Sequence, residues 1–199
     1  MKSLFAAVAA LFVACSPAVQ AGSIFLDPGH GGRDTGATEG QAKESEIMLG
    51  FSKVLEAALK KKGYIIMISR DRDELVSLKH KTTHVQTVKP DVVLGLHIAT
   101  SKDPAKRGIR ILRAPESEDE KLSYQERELP QRLAKALGEM EPKQDVTIVR
   151  LGTPSLATPK ALIIEFGYLS NEEDRKLILD PAYQQKLADV LTDTINNLY

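Results

Sequence analysis

Cysteine is almost absent from this sequence: Cys15 is the only one, and it lies in an N-terminal segment that reads differently from the rest. Residues 22–199 can therefore form no disulfide, and their stability has to come from a packed core. An excess of charge is missing as well. Lysine and arginine total 27, and so do aspartate and glutamate. The positive field expected of a nucleic-acid-binding protein is not there, and nucleic acid is not an expected partner. A membrane span is not expected either. The apolar run Leu4–Ala14 is about half of the roughly 20 residues that a spanning helix needs, and Pro17 soon follows it. No repeat, linker or low-complexity tract divides the chain. At 199 residues it has the length of one domain, and 42% apolar with 27% charged residues is the balance of a globular protein.

Residues 1–21 carry a targeting pattern. Lys2 gives a positive start, Leu4–Ala14 the apolar stretch, and Val19-Gln20-Ala21 a small-residue cleavage site, which together read as a signal peptide. The expected location is periplasmic or secreted, with residues 22–199 as the mature domain. A second reading takes Phe12-Val13-Ala14-Cys15 as a lipoprotein site that leaves Cys15 lipidated; Phe12 fits that pattern poorly, because a smaller aliphatic residue is usual there.

The order of elements after residue 22 is that of an α/β domain. Ser23–Asp27 is a short apolar run closed by Pro28-Gly29 and reads as a buried strand. From Glu44 onward Met48, Phe51, Leu55 and Leu59 recur at helical spacing until Gly63. Tyr64–Ile68 is a second strand, Leu75–Val88 a second helix, and Asp91–His97 a third strand. Such apolar runs separated by helix-length segments predict a mainly parallel sheet with right-handed crossovers and helices on both faces. A strand at Gly108–Leu112 follows, then a polar helix from about Glu118 to Gly138, whose acidic start (Glu116, Glu118, Asp119, Glu120) suits the helix dipole. A short strand spans Val146–Val149, and the run Ala161–Ile164 leads into Glu165. A final helix has Tyr183, Leu187, Val190, Leu191 and Ile195 as its core stripe.

Four polar residues fall where such a sheet places its site. His30 follows the first strand, Glu44 starts the next helix, His97 ends the third strand and Glu165 ends a late one. Strand C-termini and the helix N-termini that follow them share one rim, so these residues are expected to converge. Two imidazoles and one carboxylate form a ligand set for a catalytic zinc with a fourth position open to water. The first helical turn holds Glu44 as an anion. Glu165 is the candidate carboxylate to take a proton from the attacking water and pass it to a leaving amine, which is hydrolase chemistry. The glycines of Asp27-Pro28-Gly29-His30-Gly31-Gly32 allow a sharp turn at the site. His80-Lys81-Thr82-Thr83-His84 has the two-histidine spacing of a zinc-protease helix, but Lys81 stands where a glutamate base is required, so the pair reads as a solvated helix face.

At these residues the sequence resembles the zinc-dependent N-acetylmuramoyl-L-alanine amidases of bacterial cell walls. The resemblance rests on Ile24–Gly32 with Asp34 and Gly36, on Glu44 and Leu49, on Gly63, Ser69-Arg70 and Asp73, on Asp91–His97, and on Ile164–Asn171. It implies a mixed six-stranded sheet, zinc on His30, Glu44 and His97, Glu165 as catalytic carboxylate, and cleavage of the amide between the lactyl group of muramic acid and L-alanine. Peptidoglycan is then the expected substrate, an activator or recruiting protein an expected partner, and a monomer the expected state. The chain departs from the family around His97, where Ser-Ile-His-Ala with Asn or Asp is usual and Gly95-Leu96-His97-Ile98-Ala99 stands instead. Lys79 and Lys81 replace arginines in the second helix, so a bidentate contact there is not expected. Some family members carry a helix that plugs the zinc site, and Arg113–Arg127 is where one would fall. A peptidoglycan-binding module without turnover and a zinc peptidase acting within the stem peptide remain alternatives.

Overall fold

The computed structural model describes residues 22–114, 121–152, 156 and 158–199. The targeting segment 1–21, with Cys15, lies outside the described residues. So does the acidic cluster Glu116, Glu118, Asp119 and Glu120, and with it the middle of the expected plug. In chain order the elements are β1 (Ser23–Pro28), β2 (Thr38–Glu39), β3 (Ala42–Lys43), α1 (Glu44–Lys61), β4 (Ile65–Ile68), α2 (Leu78–Val88), β5 (Val92–Ala99), β6 (Ile109–Arg113), α3 (Tyr124–Glu139), β7 (Val146–Arg150), β8 (Ala161–Tyr168), α4 (Glu172–Leu179) and α5 (Pro181–Asn196).

Six strands form one sheet in the order β4-β1-β5-β8-β6-β7. β4, β1, β5 and β8 are mutually parallel, β6 runs antiparallel to β8, and β7 is parallel to β6. This is the expected single α/β domain with a mainly parallel, mixed sheet. The chain leaves β1 through α1 to reach β4 on one side, then crosses back through α2 to β5 on the other. Right-handed connections running in opposite directions put α1 and α2 on opposite faces. They also make the gap between the C-terminal ends of β1 and β5 the point where strand order reverses, which is where open α/β sheets bind ligands.

Strand alternation divides the interior in two. Ile24, Leu26, Val92, Leu94, Leu96, Ile98, Leu162, Ile164 and Phe166 meet α1, α3, α4 and α5 in a large apolar core. Phe25, Val93 and Ala161 point the other way and meet Val85 of α2 and Leu156 in a small cluster. Each fully buried leucine, isoleucine or phenylalanine contributes about 1.5–3 kcal/mol, so the first face carries most of the hydrophobic stabilisation.

Several boundaries differ from the sequence expectation. α2 begins at Leu78, because the Ser77 side chain accepts the His80 backbone N–H and caps the helix there. α3 begins at Tyr124, where Ser123 and Glu126 form a capping box. The closing segment is two helices. The Asp180 side chain caps α5 and Pro181 occupies its first turn, so α4 ends before them. The small β2–β3 hairpin was not expected; it carries the chain from the His30 turn into α1.

Candidate metal centre

β1 ends in a turn whose tightness is set at single positions. A Cβ at Gly29 would lie 2.4 Å from the His97 ring, and His30 itself adopts a left-handed backbone with φ +58°. The chain then folds over the start of α1. The Glu44 backbone N–H donates to the Ala37 carbonyl at 2.9 Å and that of Ser45 to the Thr35 carbonyl at 3.1 Å. Gly36, at φ +65°, leaves the space that Glu44 and His30 fill; a Cβ there would be 2.5 Å from both side chains.

His30, Glu44 and His97 converge as the sequence predicts, with one ligand atom of each within 4.8 Å of the others. Glu44 stands between the rings. Its Oε2 is 3.2 Å from His30 Nε2 and its Oε1 is 2.9 Å from His97 Nδ1. The rings lie edge to face with centroids 5.2 Å apart. Two backbone N–H groups, of Ala37 at 2.8 Å and Ile98 at 2.9 Å, also donate to this carboxylate. Burial alone would push the Glu44 carboxyl up, but the bonds from both imidazoles and the two amides outweigh it and hold the group well below the usual carboxylate range. The bond to Glu44 in turn lifts His30 to about 9 against the opposing effect of burial.

Asp34, which the sequence shows only as part of the motif after His30, has its Oδ2 2.9 Å from His30 Nδ1. It orients the ring so that Nε2 points at Glu44, as carboxylates do behind metal-binding histidines. The Ile98 amide serves Glu44, and a Cβ at Gly95 would come 3.1 Å from Ile163 Cγ1, leaving little room for a serine.

Glu165 shares the rim and pairs in register with His97 across β5 and β8. Burial raises its carboxyl pKa, and Arg110 works against that rise. Arg110 lies opposite Glu165 on β6, its Nε 2.5 Å from Glu165 Oε2 and its Nη1 donating to the Tyr168 hydroxyl at 3.4 Å. Sequence reasoning missed Arg110 because the antiparallel pairing of β6 with β8 depends on strand order. Beside the histidines is a cavity of about 420 Å³, lined among others by Asp27, His30, His97, Leu75, Leu78 and Leu156.

The histidine pair of α2 does not join the site. Among the described residues, the one cluster of three or more histidine, cysteine or carboxylate side chains close enough to share a metal ion is His30, Glu44 and His97. Yet α2 is not simply a solvated face, which corrects the sequence reading. His84 is half-buried and stands edge-on to Phe25 at 5.2 Å. Lys81 is buried against Asp27, its Nζ 2.7 Å from Oδ1, while the Ser69 hydroxyl donates to the same oxygen at 2.6 Å. Lysine at this position makes a point contact where a guanidinium would have made a fork.

Two imidazoles and a buried carboxylate at the reversal point of a parallel sheet define an α/β domain with a site fit to hold a metal ion. Residues 24–197 match the family model of N-acetylmuramoyl-L-alanine amidase, and the chain belongs to that family. It is 28% identical over 191 residues to the probable cell wall amidase LytH of Staphylococcus aureus, covering 88% of this chain and 57% of that protein. The chain thus spans just over half the length of this relative. The structure of an N-acetylmuramoyl-L-alanine amidase from Clostridium difficile 630 superposes with a TM-score of 0.78 at 26% identity, covering 88% of this chain and 95% of that one. The Clostridioides difficile CwlD amidase, solved in complex with the GerS lipoprotein, shares the fold at a TM-score of 0.76 and 21% identity, covering 89% and 98% of the two chains.

Proposed function

We propose that this chain hydrolyses the amide between the lactyl group of N-acetylmuramic acid and the L-alanine of the peptidoglycan stem, with zinc held by His30, Glu44 and His97 and with Glu165 as general base and acid. The observation that carries the reading is the carboxylate of Glu44 set between two imidazoles and fixed by two backbone amides. That donor set, of intermediate hardness and closed by a buried anion, suits zinc. A zinc ion held there supplies Lewis acidity, which polarises a carbonyl and makes water a nucleophile near neutral pH.

The chain's own groups do the rest. Asp34 keeps the His30 tautomer that leaves Nε2 for a ligand role. Glu165, with its affinity for protons raised by burial, accepts a proton from the attacking water and delivers it to the alanine nitrogen as the C–N bond breaks. Arg110 faces Oε2, so Oε1 is the oxygen that carries this proton. The lactyl carbon keeps the oxygen of water and the stem peptide leaves with a free amino terminus.

The substrate lies outside the cytoplasm, and we read residues 1–21 as the segment that exports the chain and residues 22–199 as the zinc amidase domain. Among the described residues no helix is long and apolar enough to cross a membrane. Recruitment or activation by another protein fits this reading, and the CwlD structure holds a lipoprotein partner.

Digestion of purified peptidoglycan by residues 22–199, with zinc and with a chelator, tests the function. The proposal predicts free stem peptides beginning with L-alanine, lost on chelation and restored by zinc. Fragments cut between amino acids would make the chain a peptidase, and binding without release an inactive module.

A further inference from the structure

Arg70 is the largest fully enclosed side chain among the described residues. A guanidinium removed from water usually has a carboxylate beside it. Among the described residues Arg70 has none within ion-pair reach, and its side chain donates to main-chain carbonyls instead. Nε donates to Pro28 at 3.1 Å, Nη1 to Arg72 at 3.3 Å, and Nη2 both to Gly29 at 2.7 Å and to Ser45 at 2.8 Å.

Those acceptors are not scattered. Pro28 and Gly29 immediately precede His30, and Ser45 immediately follows Glu44. The opening amides of α1 bond to Thr35 and Ala37, so they tie the helix to the later part of the loop and not to the His30 turn. One nitrogen of Arg70 makes that second connection. Two carbonyls bonded to the same nitrogen cannot drift apart without breaking a bond, so Nη2 limits how far the turn and the helix can separate. The turn also lies against this side chain, since a Cβ at Gly31 would come 3.0 Å from Nε.

We propose that Arg70 is a positioning residue of the metal site, which fixes the spacing of His30 from Glu44 by bridging the backbone beside each of them. The inference rests on the reading of His30, Glu44 and His97 as zinc ligands. It requires the fork of arginine. A lysine ammonium, a compact donor on a flexible stem, does not span acceptors on three segments in fixed directions.

The test compares wild type, Arg70→Lys and Arg70→Met with Leu191→Ala, a cavity in α5 within the apolar core on the opposite face. Zinc affinity is measured by chelator competition, the ligand field by the visible spectrum of the cobalt(II) form, and thermal midpoints with and without metal. Both Arg70 variants should bind zinc about 10- to 100-fold more weakly, with an altered cobalt spectrum and a smaller metal-induced rise in midpoint. Leu191→Ala should lower the midpoint while keeping wild-type affinity and spectrum. If Arg70→Met does not fold, Arg70→Lys, which keeps the charge and the stem, decides. Wild-type affinity and spectrum in Arg70→Lys would overturn the proposal, as would Leu191→Ala losing affinity in step with stability. A wild-type protein that binds no zinc would overturn the site reading itself, a result distinct from either.

Discussion

Phe25 and Leu26 are neighbours on β1, both fully buried, and they face opposite sides of the sheet. Leu26 joins a core that extends under α1, α3, α4 and α5. Among the described residues Phe25 joins a small cluster with Val85, Val93, Leu156 and Ala161, against which Met67 packs. The same alternation continues to the strand ends. On the Phe25 side it brings out Asp27, His97, Glu165 and Arg110, while on the Leu26 side Leu96, Ile98, Ile164 and Phe166 stay in the core. One face is thus continuous hydrocarbon and bears most of the stability. The other gives up packing near the strand C-termini and holds charges that would be costly without partners. The division explains how so polar a cluster survives in a chain without disulfides.

The two faces should respond differently to substitution. The largest effect is expected at Glu165. Glu165→Gln should cut amide release by about 10²- to 10⁴-fold, with zinc content and thermal midpoint kept, since burial already disfavours the charge. Full turnover would remove Glu165 from the chemistry. On the opposite face Phe51 is fully buried and packs edge-on to Phe166 at 4.8 Å. Phe51→Ala should lose about 3–5 kcal/mol in denaturant unfolding, yet the folded fraction should bind zinc as wild type does.

Lys81→Met leaves Asp27 buried without its cation and should cost about 3 kcal/mol. Adding Asp27→Asn should recover much of that loss; a double variant as unstable as the sum of the singles would mean that the pair does not act as a unit. A smaller change, about 0.5–1.5 kcal/mol for the lost ring contact, is expected of His84→Ala. His80→Ala should alter stability less, because His80 is exposed. Neither should change bound zinc, and a drop in metal content would bring the α2 pair back into consideration.

A further effect is a slope with pH. Burial raises the Tyr183 hydroxyl, on α5 in the large core, from 10 to about 12. An acid whose folded pKa lies above its unfolded value favours the folded state fully below the unfolded pKa, and that contribution is lost as pH rises through the folded one. Stability should fall between pH 10 and about 12, and Tyr183→Phe should flatten that part of the fall.

The residues that bear charge at strand ends were legible in the sequence, because apolar runs closed by His97 or Glu165 mark both the strand and its rim. Glu44 was legible as the first residue of an amphipathic helix. What could not be read was whatever depended on neighbours remote in sequence. Arg110 meets Glu165 only because β6 runs against β8. Arg70 was legible only as part of the Ser69-Arg70 motif; its burial and its hold on the site were not, since its partners are main-chain carbonyls from distant segments. α2 was misread for a related reason: its apolar stripe is thin, and the buried contacts of Lys81 and His84 are with β1, whose residues lie more than fifty positions earlier. Asp34 was within reach, four residues after His30 in a turn that brings it back to the ring.

The central claim is that His30, Glu44 and His97 jointly hold zinc, and zinc-edge X-ray absorption on residues 22–199 loaded with one equivalent measures it most directly. The account predicts a first shell with two imidazole nitrogens and carboxylate oxygen in wild type, and one imidazole fewer, with weakened retention, in His97→Ala. A wild-type chain that retains no zinc, or a His97→Ala spectrum identical to wild type, would contradict it.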